Sequence, residues 1–218
     1  MILQIIFLIL FLGVSCFHLI DCWNDNDRRF RTKPLLMLLL LAFYLFSAKL
    51  YSLLLIIALI LSFLGDVLLI RDGEKWLMAG GASFLAAHIL YIFLYARRID
   101  PSAFIPSLVI PIAVVYCAAA LFFIWQLLGS APKGIPAALY IYLMVNAAMN
   151  LFALMHLIAY RTPGAVLAYI GAICFFLSDC ILFLVLYAPK KVRFHPHFLV
   201  MSTYIAGQFL ITLGMVLS

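Results

Sequence analysis

Charge is what this sequence has least of: Asp, Glu, Lys and Arg make up 10% of its 218 residues, against about 25% in a soluble globular domain. So few charges cannot cover a water-facing surface, and a soluble fold is excluded. The alternation of short segments of about ten residues that marks a membrane β-barrel is also missing. So is any paired CxxC or zinc-type spacing among the five cysteines, Cys16, Cys22, Cys117, Cys174 and Cys180. At least four of them lie in or beside apolar runs, where a free thiol behaves as a small buried hydrophobe. There is no G-x-S-x-G elbow, which argues against a serine hydrolase. His195 and His197, which flank Pro196 in a basic loop, read as surface groups, and no metalloenzyme is expected. No nucleic-acid signature accompanies the net charge of +6. The first apolar run has no Lys or Arg before it and no A-x-A site after it, so it reads as a retained span and not a cleaved signal.

What is present is hydrophobic length. Apolar residues make up 68% of the chain, with mean hydropathy +1.23. They fall in runs of roughly 16 to 25 residues, enough for a helix to cross a hydrocarbon core of ~30 Å. The expected fold is an all-α polytopic membrane bundle forming one transmembrane domain over residues 1–218. Eight spans are placed at 2–20, 34–48, 51–71, 76–96, 104–128, 136–160, 164–187 and 198–217. Pro101, Pro106, Gly129 to Gly134, Pro163, Pro189 and Pro196 punctuate the connections.

Basic residues set the expected orientation. Odd-numbered loops hold ten: Arg28, Arg29, Arg31, Lys33, Arg71, Lys75, Lys133, Lys190, Lys191 and Arg193. Even-numbered loops hold four: Lys49, Arg97, Arg98 and Arg161. The positive-inside rule puts the odd loops in the cytoplasm and both termini outside. Leu64-Gly65-Asp66-Val67-Leu68-Leu69 in span 3 resembles Leu177-Ser178-Asp179-Cys180-Ile181-Leu182 in span 7. Both spans run the same way, which suggests a four-plus-four internal repeat.

Ionisable residues inside spans are costly and mark function by default. Asp66, Asp179 and His88 stand out; polar companions are Tyr91, Tyr140, Asn146, Asn150, Ser178, Tyr204 and Gln208. At 1.5 Å per residue, Asp66 lies about 7–8 Å below the cytoplasmic edge, Asp179 about 12 Å, Tyr204 about 9 Å and Gln208 about 15 Å. Most of these groups share one half of the membrane, as a polar cavity opening to the cytoplasm requires. The bland alternative is helix-to-helix hydrogen bonding, which weighs about evenly for Tyr140, Asn146, Asn150 and Ser178. Tyr95, Tyr116 and Tyr160, near span ends, read as interfacial anchors, and His156 as structural. No basic residue other than His88 is expected deep in a span. Each aspartate must therefore pair with a cation or stay protonated.

Several stretches resemble one family. They are Lys33-Pro34-Leu35, Phe63-Leu64-Gly65-Asp66, Phe84-Leu85-Ala86-Ala87-His88-Ile89-Leu90-Tyr91, Phe176-Leu177-Ser178-Asp179 and Met201-Ser202-Thr203-Tyr204-Ile205-Ala206-Gly207-Gln208. In order and spacing, from span 2 to span 8, they are similar to the YhhN family, which includes the lysoplasmalogenases. The resemblance implies eight spans, no soluble domain and hydrolysis of the vinyl ether bond of lysoplasmalogens. The products would be a fatty aldehyde and glycerophosphoethanolamine or glycerophosphocholine. The matching positions are Lys33, Asp66, His88, Tyr91, Ser178, Asp179, Tyr204 and Gln208; span 6, with Asn146 and Asn150, matches less clearly.

The chemistry fits the residues. A vinyl ether hydrolyses when an acid protonates its β-carbon, and two carboxyls in different environments supply an acid and a charge stabiliser. Asp66 and Asp179 are the expected catalytic pair, with the assignment of roles open between them. The substrate-binding set is Lys33, His88, Tyr91, Tyr140, Asn146, Ser178, Tyr204 and Gln208, and Lys33 with Arg29 or Arg31 is expected to meet a phosphate. No metal or cofactor is called for. The expected partners are a lysophospholipid substrate and the lipid bilayer, with no nucleic acid and no obligate protein partner. A bacterial inner membrane fits best, and an endoplasmic reticulum membrane otherwise. The rival readings are a proton-coupled transporter and a non-catalytic lipid-binding protein.

Overall fold

A computed structural model describes residues 2–97, 99, 105–132, 134–188, 190, 192 and 194–218. Arg98, Pro101, Lys133, Pro189, Lys191 and Arg193, read above as loop residues, lie outside these. Eight helices account for nearly all of the described chain: α1 (Ile2–Trp23), α2 (Arg29–Ser47), α3 (Leu53–Leu68), α4 (Glu74–Ala96), α5 (Pro106–Leu127), α6 (Ile135–Tyr160), α7 (Pro163–Tyr187) and α8 (Pro196–Val216). Seven are long and apolar enough to cross a membrane. The exception is α3, with 16 residues, about 24 Å at 1.5 Å per residue. The expected third span at 51–71 is shortened at both ends. Residues 69–71 turn out of the helix, and Gly73, at φ 116, makes a bend that a Cβ would disfavour before α4 begins.

The helices pair as antiparallel hairpins, α1 with α2, α3 with α4, α5 with α6 and α7 with α8. Seven of them close a ring in the order α1, α2, α3, α4, α6, α7, α8, while α5 packs outside on α6 and α7. The odd-numbered loops gather on one face. His195 stacks on Trp23 with centroids 3.7 Å apart. Arg71, Asp72 and Gly73 share a cavity with Pro132 and Tyr187. That face can hold both the α1–α2 and the α3–α4 turns only if α3 traverses the bundle despite its length.

Local chemistry explains several boundaries. Thr162 caps α7 by accepting the Ala165 N–H at 3.2 Å, with Pro163 in the first turn, where its missing N–H costs nothing. The largest departure is α2. It begins at Arg29, a full turn before the expected 34, and carries Pro34 inside it. Lys33 therefore lies on helix, in register with buried Leu36, Met37 and Leu40, so it points inward.

Apolar side chains face outward along much of α1 and α5, as a lipid-exposed surface permits. Ser62, Asp66, His88, Asn146, Asn150, Asp179 and Gln208 are buried within the ring. Two of the tyrosines read as interfacial are buried as well. Tyr95 packs against His156, and Tyr116 donates to Asn150 at 3.0 Å.

Candidate functional site

Six helices of the ring, α2, α3, α4, α6, α7 and α8, place polar side chains around its centre. Asp66 on α3 is met from two sides. Tyr204 of α8 donates its hydroxyl to Oδ2 at 2.8 Å, and Lys33 Nζ of α2 stands 3.4 Å from Oδ1. The expectation that only His88 could supply deep basic character is thereby corrected. The early start of α2 swings Lys33 into the bundle, where it neutralises a buried carboxylate and so is engaged before any substrate arrives.

Asp179 on α7 has different company. Asn146 of α6 donates Nδ2 to Oδ2 at 2.7 Å, Tyr142 of α6 is hydrogen-bonded to the same carboxyl, and His88 Nε2 of α4 lies 3.5 Å from Oδ2. The imidazole tautomer follows from its other contact. His88 Nδ1 lies 2.7 Å from the Phe84 carbonyl, which can only accept, so Nδ1 carries a hydrogen. The unprotonated Nε2 then faces Asp179 Oδ2 at 3.5 Å without a hydrogen bond between them. Among the described residues no lysine or arginine is paired with Asp179, in contrast to Asp66.

Behind Asp179 runs a chain of amides. Asn150 Nδ2 donates to Asn146 Oδ1 at 3.1 Å and to the Asn146 carbonyl at 3.0 Å, while its own Oδ1 accepts from Tyr116. With Oδ1 of Asn146 occupied, its NH₂ must face Asp179. This orients the donor in the way that outer hydrogen bonds orient a ligand.

A second network ties the ring together. Tyr91 of α4 donates to Gln208 Oε1 of α8 at 2.7 Å, and Gln208 Nε2 donates to Ser62 Oγ of α3 at 2.9 Å. Tyr91 and Gln208 are thus brought to each other and to Ser62, not to the aspartates. Ser178 Oγ donates to the Val200 carbonyl at 3.1 Å, a tie between α7 and α8 at the edge of the site. Tyr140 is half-buried against the apolar core and has no place in the cluster described here. Tyr142, two positions on and about 200° further round the helix, is the α6 tyrosine that reaches Asp179. Tyr142 and Ser62 carry no sequence signal beyond being polar residues in apolar runs.

Both aspartates open onto one cavity of about 40 Å³, which Lys33, Ser178 and Tyr204 also line. That is room for water, which needs roughly 10–15 Å³ and polar partners. Leu69, Phe84 and Leu182 separate it from an apolar groove of about 200 Å³ between α4, α6 and α7. On the other side, Lys33, Leu182 and Met201 are shared with a cavity of about 190 Å³ beneath the α1–α2 turn. The acids therefore sit where a greasy groove and a basic-rimmed cavity meet.

The partners are also exchanged between halves. The acid on α3 is met by α8, and the acid on α7 by α4. This is the reciprocity that a four-plus-four duplication would produce, but α1 joins the ring and α5 does not, so the two halves differ in their first helix.

Neither curated proteins nor solved structures give a match. The model of the YhhN family matches residues 28–215. That stretch takes in all six helices that build the cluster, together with α5. The chain is thus a multi-pass membrane protein and belongs to the YhhN family.

Proposed function

We propose that this protein hydrolyses the vinyl ether bond of lysoplasmalogens, with Asp179 as general acid and Asp66 as charge stabiliser. The observation that carries the reading is the pair of buried carboxyls on one water-sized cavity, one beside a lysine and the other beside a histidine. Unlike environments for two acids are what acid-assisted cleavage through an oxocarbenium ion requires.

Protonated Asp179, beside His88, gives its proton to the β-carbon of the alkenyl group, and the C=C π pair forms the new C–H bond. The resulting oxocarbenium ion is stabilised by the Asp66 carboxylate, which Tyr204 orients. Water in the cavity adds to the α-carbon and loses a proton to Asp179, which restores the acid. The hemiacetal O–H proton then passes to the leaving glycerol oxygen as the C–O bond breaks, which gives an aldehyde and the glycerol hydroxyl. The alkenyl chain lies in the apolar groove beside Leu69, Phe84 and Leu182. No step draws on a metal or a cofactor.

Purified protein in detergent is expected to release aldehyde from a lysoplasmalogen with EDTA present. Asp66→Asn and Asp179→Asn are each expected to lose about 10²- to 10⁴-fold in kcat, the range of a lost acid or base. Near-normal rates in either variant would overturn the two-carboxylate scheme. Folded protein that releases no aldehyde from any headgroup form would favour a transporter using the same acids.

A further inference from the structure

The cavity beneath the α1–α2 turn has two kinds of wall. Its inner part is apolar, with Leu69, Leu182 and Met201, and its outer part carries His18, Arg29, Lys33 and His197. Two of these cations are each paired with a carboxylate, one inside the bundle and one at the surface. Lys33 is engaged by Asp66. The Arg29 side chain is only 16% exposed, and Nη1 donates to Asp25 Oδ1 at 2.6 Å. His197 Nε2 stands 3.9 Å from that same oxygen.

Asp25 itself is at the surface. Its side chain is 67% exposed, and its backbone sits at φ 50, the left-handed region that short polar residues tolerate best. The Arg29 hydrogen bond holds its carboxyl below the ordinary range, so it stays ionised. The neighbouring Arg28 is directed elsewhere, to Asp21 at 3.4 Å.

Arg29, which lines the cavity, therefore stands side by side with a negative group at the adjoining surface. A free anion would gain Arg29 but meet Asp25 in repulsion, and a free cation would meet the reverse. A ligand carrying both charges a few ångström apart exchanges partners with the pair and leaves every charge matched. A phosphodiester joined to a short ammonium arm has that form.

We propose that Arg29, His197 and Asp25 form a receptor for a zwitterionic phosphoester headgroup, with the phosphate on Arg29 and His197 and the ammonium on Asp25. The inference deepens the hydrolase reading and rests on it, since it names the part of the substrate that enters from the cavity next to the acids. It also alters the expected role of Lys33. That residue belongs to Asp66, and Arg29 takes the phosphate.

The test is binding of uncleavable 1-O-alkyl lysolipids to the full chain in uncharged maltoside detergent, read by calorimetry. Three ligands share one alkyl chain: a phosphoethanolamine form, a phosphomethanol form without the ammonium, and the neutral alkylglycerol. Wild-type protein is expected to bind them in that order of decreasing affinity. Asp25→Asn is expected to weaken the phosphoethanolamine form about fivefold, as for an exposed ion pair, and leave the phosphomethanol form equal or tighter. Arg29→Gln is expected to weaken both phosphate lipids about fivefold while alkylglycerol binding, the folding control, is unchanged. Equal binding of all three ligands by wild type would overturn the proposal, as would equal loss for both phosphate lipids in Asp25→Asn. Headgroup-selective binding without aldehyde release would sink the hydrolase and leave the receptor standing. Aldehyde release with headgroup-blind binding would do the opposite.

Discussion

At the scale of single residues, Lys33 and Asp66 illustrate how a buried charge constrains its partner. Removing one member of a buried ion pair leaves the other uncompensated, at about 3–5 kcal/mol. Lys33→Met is therefore expected to lower thermal stability in detergent by that order. Adding Asp66→Asn to it should recover most of the loss, and equal melting of the single and double variants would contradict the pairing. Activity should not return in the double variant, because the carboxylate is gone. A gentler effect is expected at Asn150. Asn150→Ala removes the bond that fixes the Asn146 amide, and about a tenfold fall in kcat is expected, as for other outer partners of functional groups. Unchanged kcat would mean that Asn146 finds its orientation elsewhere. Of these residues, Asp66, Asp179 and His88 were legible in the sequence because ionisable groups in apolar runs are conspicuous. The Lys33–Asp66 pair was not, since it depends on where α2 begins, and helix boundaries within a turn are set by packing as much as by composition.

At the scale of helices, α7 and α8 form the most extensive contact. Four glycines make it. A Cβ on Gly171 would lie 2.7 Å from the Ile211 nitrogen, and one on Gly214 would lie 2.5 Å from the Gly164 carbonyl oxygen. On the facing sides, a Cβ on Gly207 would lie 3.0 Å from the Gly171 carbonyl oxygen. Gly164 and Gly171 on one helix and Gly207 and Gly214 on the other are each seven apart, two turns along one face. Backbones this close are the usual means of association where lipid offers no hydrophobic drive. The contact also sets the height of Asp179 against Val200 and Tyr204. Gly171→Ala is expected to cost about 1–3 kcal/mol of stability through overpacking, measured by thermal unfolding in detergent. Activity should fall together with it. A variant as stable and active as wild type would show that the two helices can separate without disturbing the acids. The motif around Gly207 was legible as part of the family resemblance, but its role was not, because a glycine in a sequence does not say which backbone it touches.

At the scale of the whole molecule, the ring and the basic loops make an orientation testable. All described odd-numbered connections that contact one another do so on one face, and most of the chain's basic residues belong to that side. Reporter fusions at Ser218 are expected to be active as alkaline phosphatase and dark as a fluorescent protein folded in the cytoplasm, since the C-terminus is expected outside. The reverse pattern would invert the bundle and place the acid cavity and the Arg29–Asp25 pair on the non-cytoplasmic side.

The sequence by itself determined that this is a helical membrane bundle, because too little charge and too much uninterrupted apolar length leave no other way to satisfy the backbone. It also determined that Asp66, Asp179 and His88 are exceptional, because burying such groups is costly wherever they end up. Only the tertiary structure decided the rest. It sent Lys33 to one aspartate and His88 to the other, put Tyr142 in place of Tyr140, and left Tyr91 and Gln208 as a brace. These are contacts between helices far apart in the chain, and helical periodicity states which face a residue occupies but not which neighbour that face will meet.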